Sequence, residues 1–211
     1  MRFPFFALPI LLLSGCATSR GPERAAEAID WRAVATEDDR KRLREWRGDF
    51  AQALKKARAA GHGAAIDAEG PLLALDAAQP GALPNGDYRC RTIKLGAREG
   101  GPLDYIAYPG FACRVTQQGA LQYFAKLTGS QRPMGRIYRG DAMRNVFLGV
   151  LMLGDEKQPM RYGSDPDRTL VGWVERIEPR RWRIVFPAPR FESLTDVIEL
   201  VPQADPAGAP S

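Results

Sequence analysis

Apolar residues recur with two different periods along the chain, and the first period is helical. The apolar positions of this first part, separated by three or four residues, are Leu43, Trp46, Phe50, Leu54 and Ala57. They predict one amphipathic helix of about six turns. Thr36, which precedes three acidic residues, is expected to cap the first turn, and Gly61-His62-Gly63 is expected to end the helix. A shorter helical piece is predicted over residues 64–77, with an interruption at Gly70-Pro71.

The period changes to two from residue 86, which indicates strands. Turn-forming sequences separate the segments of strand character. Residues 160–162 form a further segment in which the strand pattern is weak. The main segments are 87–95, 104–115, 121–127, 135–138, 145–153, 169–177, 181–186 and 195–201. About eight strands without intervening helices predict an antiparallel barrel or sandwich, in a chain that is α+β and mainly β. We favour the barrel because closure leaves no strand edge exposed.

Alternate residues of such a barrel face its interior. The side chains expected there are Tyr88, Tyr105, Phe111, Leu121, Tyr123, Ile137, Trp182, Ile184 and Phe186. Small barrels either fill this space with side chains or hold a ligand in it. A packed interior is the commoner arrangement, and the sequence leaves both alternatives open.

The first residues have the parts of an export signal, namely Arg2, an apolar stretch over residues 3–13 and two small residues. The stretch is shorter than the about 20 residues that a membrane-spanning helix needs. Leu13-Ser14-Gly15-Cys16 resembles the end of a bacterial lipoprotein signal. The resemblance implies cleavage before Cys16 and acyl chains on its sulfur and its new amino group, which would anchor the chain in a membrane. Ala17 favours the outer membrane, facing the periplasm; the alternative is an ordinary secretory signal.

Five parts of the chain follow from these patterns. They are a signal peptide (1–15), a lipid anchor and tether (16–30), a helical region (31–78), a β-barrel domain (86–202) and a disordered tail (203–211). The formal net charge of +5 suits either the phosphates of lipid headgroups and lipopolysaccharide or a solvated basic surface. Nucleic acid is disfavoured as a partner by the compartment, and the chain has none of the usual nucleic-acid motifs.

The chain has three cysteines, and the lipid accounts for Cys16. Cys90 and Cys113 are then left in an oxidising envelope, where a disulfide is the economical interpretation. Alternation places Cys90 on the face of Tyr88 and Cys113 on the apolar face of its own segment, so both sulfurs can lie on one side. A reduced, catalytic pair is the alternative, although no CxxC arrangement is present to lower a thiol pKa.

Several segments resemble a bacterial family known as domain of unknown function 4893. They are GDYRCRTIKLG (86–96), KLTGSQRP (126–133), FLG (147–149), PRFES (189–193) and DVIELVP (196–202). The resemblance implies an exported protein of about this size and assigns no activity, so no catalytic residue is carried over. Gly86-Asp87-Tyr88 is also similar to the Gly-x-Trp start of lipocalins, which implies a lipocalin-like barrel.

Candidate chemistry is limited by the residue types present. His62 is the only histidine, which excludes a site with two histidine ligands, and we predict neither a metal nor a cofactor. Pairs of carboxylates could serve a glycan hydrolase. The possible members are Asp104, Glu175, Glu192, Asp196 and Glu199. Two polar loops, 128–133 and 190–193, could instead recognise an anionic or carbohydrate group at a barrel rim.

These observations leave three classes of function. We favour a lipid-anchored envelope protein whose barrel binds a small molecule, a glycan or an envelope protein without chemistry. The residues expected to bind are Tyr88, Tyr123, Gln131, Arg132, Trp182 and Arg190. The alternatives are a protein inhibitor or assembly factor that acts through its surface, and a carboxylate-dependent glycan hydrolase.

Overall fold

The computed structural model describes residues 29–98 and 104–203, and its helical part comes first. The helical elements are α1 (Trp31–Val34), α2 (Glu37–Ala57), a π turn (Arg58–His62), α3 (Gly63–Ala68) and a 3-10 turn (Gly70–Leu73). The hydroxyl of Thr36 accepts a hydrogen bond from the backbone N–H of Asp39 at 3.1 Å, which confirms the predicted cap. The predicted break at Gly61 is confirmed, because this residue, at φ 93°, leaves the helical conformation and kinks the chain. The shorter helical piece predicted after it is α3, which ends at Ala68 rather than near residue 77 and is followed by the 3-10 turn.

Nine strands follow in the described residues, and eight of them close into an antiparallel barrel. The strands are β1 (Gly86–Ala97), β2 (Tyr105–Ala107), β3 (Phe111–Gln118), β4 (Leu121–Lys126), β5 (Gln131–Arg139), β6 (Arg144–Leu153), β7 (Thr169–Glu178), β8 (Arg181–Pro187) and β9 (Ser193–Pro202). From β3 onward each strand pairs with the next one along the chain, and β9 returns to pair with β1. The extra strand, β2, lies beside the second half of β1. A mainly β chain with a closed, lipocalin-like barrel is therefore confirmed.

Three predictions about strand bounds are wrong. The segment 104–115 is two strands, because the chain leaves the sheet at Pro109-Gly110 between the pairings of β2 and β3 with β1. The predicted loop 128–133 is a turn over 128–130, and its last residues, Gln131 to Pro133, begin β5 opposite β6. Residues 160–162 form no strand.

The helical part covers one side of the barrel wall. Helix α2 buries Trp46, Phe50, Ala53 and Ala57 against outward-facing residues of β1, β8 and β9, such as Ile93. A second apolar cluster joins α1 and the start of α2 to β5, β6 and β7. Burial of an aromatic side chain of this kind contributes about 2–3 kcal/mol, so the amphipathic face of α2 is held by packing on the barrel.

One end of the barrel is closed by packed side chains. Leu83, in the segment before β1, is buried there, and the Tyr88 hydroxyl donates a hydrogen bond to the Pro84 carbonyl oxygen at 2.6 Å. Tyr88 and Trp182 meet edge to face, with ring centroids 6.4 Å apart. Phe147 lies further in, where its ring occupies the space that a Cβ on Gly149 would need. This half of the interior is therefore solid.

Six of the nine side chains predicted to face the interior do so, and the other three do not. Tyr88, Phe111, Ile137, Trp182, Ile184 and Phe186 belong to the inner cluster. Tyr105 packs under α2, Leu121 packs near α1, and Tyr123 lies in an outer groove beside Tyr138. On β4 the inward positions are those of Phe124 and Lys126. The prediction that Leu121 and Tyr123 face the interior is therefore wrong, because a shift of one residue along a strand moves a side chain to the opposite face of the sheet.

Cys90 and Cys113 form a disulfide, as predicted, with their Cα atoms 5.9 Å apart. Both side chains are buried in the inner cluster, where β1 pairs with β3. The bridge closes a loop with a sequence separation of 23, which in the chain-entropy model stabilises the fold by about 3 kcal/mol.

The predicted signal peptide, the predicted lipidation site Cys16, most of the tether and nearly all of the tail lie outside the described residues. Within residues 29–98 and 104–203, no helix combines the length and the hydrophobicity that crossing a bilayer requires.

Candidate functional site

A cavity of about 350 Å³ opens at the end of the barrel opposite the packed aromatic side chains. Its walls are the inward-facing side chains of several strands, and two connecting segments form its mouth. The apolar part of the wall consists of Phe111, Pro133, Leu151, Leu170, Phe186 and Ile198. The volume lies in the range of sites that hold small molecules, which are typically about 300–1,000 Å³. We call this space the rim cavity.

Lys126, the last residue of β4, is one of two buried lysines of the rim cavity. Its Nζ donates a hydrogen bond to the Gln131 carbonyl oxygen at 2.8 Å and lies 3.5 Å from the ring centroid of Phe111. The residue is only 4% exposed. Burial, helped by the positive charges of Lys94 and Arg132, lowers the pKa of Lys126 to about 8. No carboxylate of the described residues lies within ion-pair distance of this amine.

Lys94 lies in the same cavity but has two carboxylate partners. Its Nζ is 3.0 Å from Glu192 and 3.4 Å from Asp196, which is its register partner on β9. Burial alone would lower the pKa of Lys94, but the two carboxylates outweigh it and raise that pKa. Burial raises the pKa of Asp196, which also accepts a hydrogen bond from the Ser193 hydroxyl. The positive charge of Lys94 is therefore compensated by two carboxylates, whereas that of Lys126 has no such partner among the described residues.

The mouth of the rim cavity is formed by the two polar loops that the sequence identified. Gly129, in the turn after β4, has φ +90°, and a Cβ there would lie 2.9 Å from the Phe111 ring and 3.0 Å from Lys126 Nζ. Only glycine lets this turn pass so close over the lysine. Glu192, between β8 and β9, also has a positive φ of 61°, and Phe191 beside it is 38% exposed. Gln131 Nε2 donates a hydrogen bond to Glu192 Oε1 at 3.4 Å and so joins the two loops.

Of the six side chains predicted to bind a ligand, the structure brings only Gln131 to the rim cavity. Tyr88 and Trp182 pack together at the closed end. Tyr123 lies in the outer groove. These four residues do not form one site.

The two arginines of that set point away from the rim cavity. Arg132 alternates with Gln131 on β5, and its guanidinium donates hydrogen bonds to the Gly154 and Glu156 carbonyl oxygens at 2.9 and 2.8 Å. Arg190 pairs with Asp38 of α2 at 2.6 Å. Both arginines hold neighbouring segments in place.

Two of the five candidate carboxylates reach the rim cavity, and three do not. Glu192 and Asp196 line it together. Glu175 pairs with Arg183 beneath the helical segment, Glu199 accepts from Arg91 and Arg181, and Asp104 lies 3.5 Å from Lys56. His62 stacks on Tyr105 outside the barrel, with ring centroids 5.6 Å apart. In the part of the chain that the structure describes, no three His, Cys, Asp or Glu side chains form a group that could hold a metal ion.

The sequence reasoning missed the two lysines, although a signal for one of them was present. Tyr88, Cys90, Thr92 and Lys94 share one face of β1, because residues two apart in a strand point the same way. Once Cys90 was placed inward, the same parity placed Lys94 inward as well. Lys126 follows likewise from Phe124 on β4, provided that the parity of that strand is known.

Comparisons with known proteins give a family and nothing more specific. The model of a family described as Domain of unknown function (DUF4893) matches residues 31–200, which include every barrel strand except the last two residues of β9. Neither the curated proteins nor the solved structures contain a match to the chain.

Proposed function

The chain belongs to the DUF4893 family, whose description assigns no activity, and we propose from its own geometry that the barrel binds a small anionic molecule in the rim cavity. The observation that carries this proposal is the buried amine of Lys126. A protonated amine taken out of water is unfavourable unless an opposite charge or several hydrogen bonds compensate it. Lys126 has one hydrogen bond to a carbonyl oxygen and the face of one ring, and a bound anion would supply the missing charge.

The walls of the rim cavity indicate the rest of the ligand. Leu151, Leu170, Phe186 and Ile198 offer apolar surface to the body of the molecule, while the amine lies near the mouth with Ser130. A cavity of about 350 Å³ suits a compact molecule and is too small for a folded protein segment. A carboxylate or phosphate on a small apolar body matches both features.

The other two classes of function have less support from the site. Glu192 and Asp196 share Lys94 as a counter-ion, which favours a structural pair over the acid and base of a hydrolase. An inhibitor or assembly factor would use the outer surface, where the groove beside Tyr123 is open but has no charged buried group comparable with Lys126.

Native mass spectrometry of the full-length protein, extracted from its own envelope in mild detergent, tests this proposal. We expect the wild type and the control Lys55→Met, which changes an exposed lysine of α2, to retain a small-molecule mass. Lys126→Met should retain about a tenth of it or less, since a hydrogen bond to a charged group contributes about 1.5–3 kcal/mol. Raising the pH from 7 to 9.5 should release the ligand from the wild type, because Lys126 loses its proton above about pH 8.

A wild type that carries no extra mass, or equal retention by Lys126→Met, would refute the proposal. A co-purifying protein mass in place of a small one would favour the surface-acting class, and an altered muropeptide would favour the hydrolase.

We also propose that Cys16 anchors the barrel in the outer membrane, facing the periplasm. The support is the sequence Leu13-Ser14-Gly15-Cys16 together with a disulfide, which suits an oxidising compartment. Metabolic labelling with an alkyne-bearing fatty acid should mark the wild type and the neighbouring control Ser19→Ala, whereas Cys16→Ser should be unmarked and soluble. Label on Cys16→Ser, or none on the wild type, would contradict the anchor.

A further inference from the structure

We propose that Lys126 captures a small oxo acid covalently, by forming an imine between its amine and the carbonyl group of the ligand. This inference rests on the rim cavity being the binding site for an anion. In a 2-oxo acid the carboxylate and the carbonyl carbon are adjacent. In its protonated form the amine attracts the carboxylate, and once it has lost its proton it is next to the carbonyl carbon that it attacks.

The geometry around Lys126 favours a reactive amine. The side chain is held by the Gln131 carbonyl oxygen at 2.8 Å and by the Phe111 ring, so Nζ has a defined position at the wall of the cavity. Gly129 closes one side of Nζ, since even a Cβ there would lie 3.0 Å from it, and the open side is the rim cavity that Lys126 lines. A small carbonyl compound can therefore approach an amine that is fixed in place.

The charged groups around this amine favour its neutral form. Lys94 faces it from β1, Arg132 lies nearby on β5, and the carboxylates that line the cavity, Glu192 and Asp196, are engaged by Lys94. Burial and these two cations lower the pKa of Lys126 to about 8, which is the environment that activates lysines toward carbonyl groups. The pKa of Lys94 is raised, so its ammonium does not compete as a nucleophile.

The reaction needs no oxidant or reductant. The lone pair of the neutral amine attacks the carbonyl carbon, a C–N bond forms, and the carbonyl electron pair moves to oxygen. The nitrogen, now positively charged, gives up one of its two protons, and the oxygen takes up one. The resulting carbinolamine loses the remaining N–H proton and hydroxide as water, which leaves a C=N bond. The protons are exchanged with solvent through the mouth of the cavity.

Reductive trapping tests the inference. The full-length protein is incubated with glyoxylate and cyanoborohydride, whose hydride reduces an imine to a stable carboxymethyl-lysine, and each lysine is then quantified by peptide mapping. We expect Lys126 to be modified about tenfold faster than the exposed Lys55 at pH 7.5, because a lower pKa leaves more of the amine neutral. The rate at Lys126 should rise from pH 6 to pH 8, and unfolding in urea should abolish the preference.

Equal modification of Lys126 and Lys55 in the folded protein would overturn the inference. Its failure is distinguishable from that of the binding proposal. A retained native ligand without preferential trapping leaves binding intact and removes the covalent step. Preferential trapping without any retained ligand refutes a resident ligand and shows that Lys126 captures a small oxo acid supplied from solution.

Discussion

Replacing Arg183 by methionine is expected to lower the free energy of unfolding by about 3–5 kcal/mol, which is the usual effect of removing one partner from a buried ion pair. Arg183 is fully buried on β8, and its Nε donates a hydrogen bond at 2.7 Å to Glu175, the residue opposite it on β7. Its Nη1 donates to the carbonyl oxygens of Pro71, Leu72 and Ala74 at 3.2, 2.8 and 2.7 Å. One side chain thus ties the 3-10 turn after α3 to the outer wall of the barrel.

Urea unfolding followed by circular dichroism measures this effect. Two further variants test whether the effect comes from the buried ion pair. Arg114→Met removes an ion pair with Asp87 in which both side chains are about half exposed, so it should change the midpoint much less. Glu175→Leu combined with Arg183→Met should recover part of the loss, because the buried carboxylate, which Arg183→Met leaves with Arg144 as its counter-ion at 3.3 Å, is then removed as well. A midpoint for Arg183→Met as high as that for Arg114→Met would show that the buried pair does not hold the helical segment.

Much of the fold follows from the sequence because strand periodicity is a local property. The alternation on either side of each turn fixes where strands begin and end within a few residues, and an oxidising compartment with two inward cysteines gives the disulfide. The face of each strand is less secure. On β4 we expect the aromatic side chain of Tyr123 inside the barrel, yet it is Phe124 that faces inward in the closed barrel.

The site was harder to predict, because its distinguishing groups are charged residues at positions where a charge is uncommon. Lys94 and Lys126 look like surface residues by type, and each is buried by partners on other strands; the same is true of Arg183 on the outer wall. Gln131 lines the rim cavity, but it does so from the start of β5 and not from the loop that the sequence predicted. Such pairings depend on contacts between distant segments, which periodicity does not report.

The second large expected effect is that Lys126→Met makes the protein more stable at pH 7 while it removes ligand binding. A lysine whose pKa falls from 10.5 to about 8 on folding holds fewer protons in the folded state than in the unfolded state between those values. The cost to stability is complete below pH 8 and amounts to about 3 kcal/mol. Loss of the hydrogen bond to Gln131 and of the contact with Phe111 offsets about 1–2 kcal/mol of the gain, so a net increase of about 1–2 kcal/mol is expected.

The pH dependence separates this cause from better packing of methionine. As pH rises from 8 toward 10.5, the unfolded state loses the proton that the folded state already lacks, so the advantage of Lys126→Met should shrink and then change sign. Urea midpoints of ligand-free, refolded wild type, Lys126→Met and the exposed control Lys55→Met at pH 7 and pH 10 measure it. An advantage that is constant with pH would mean that burial of the charge is not its source.

The charged form of Lys126 weakens the fold, and a bound anion would compensate for this cost. Residues that serve binding are often kept although they lower stability. The stability gain and the loss of retained ligand should therefore occur in the same variant.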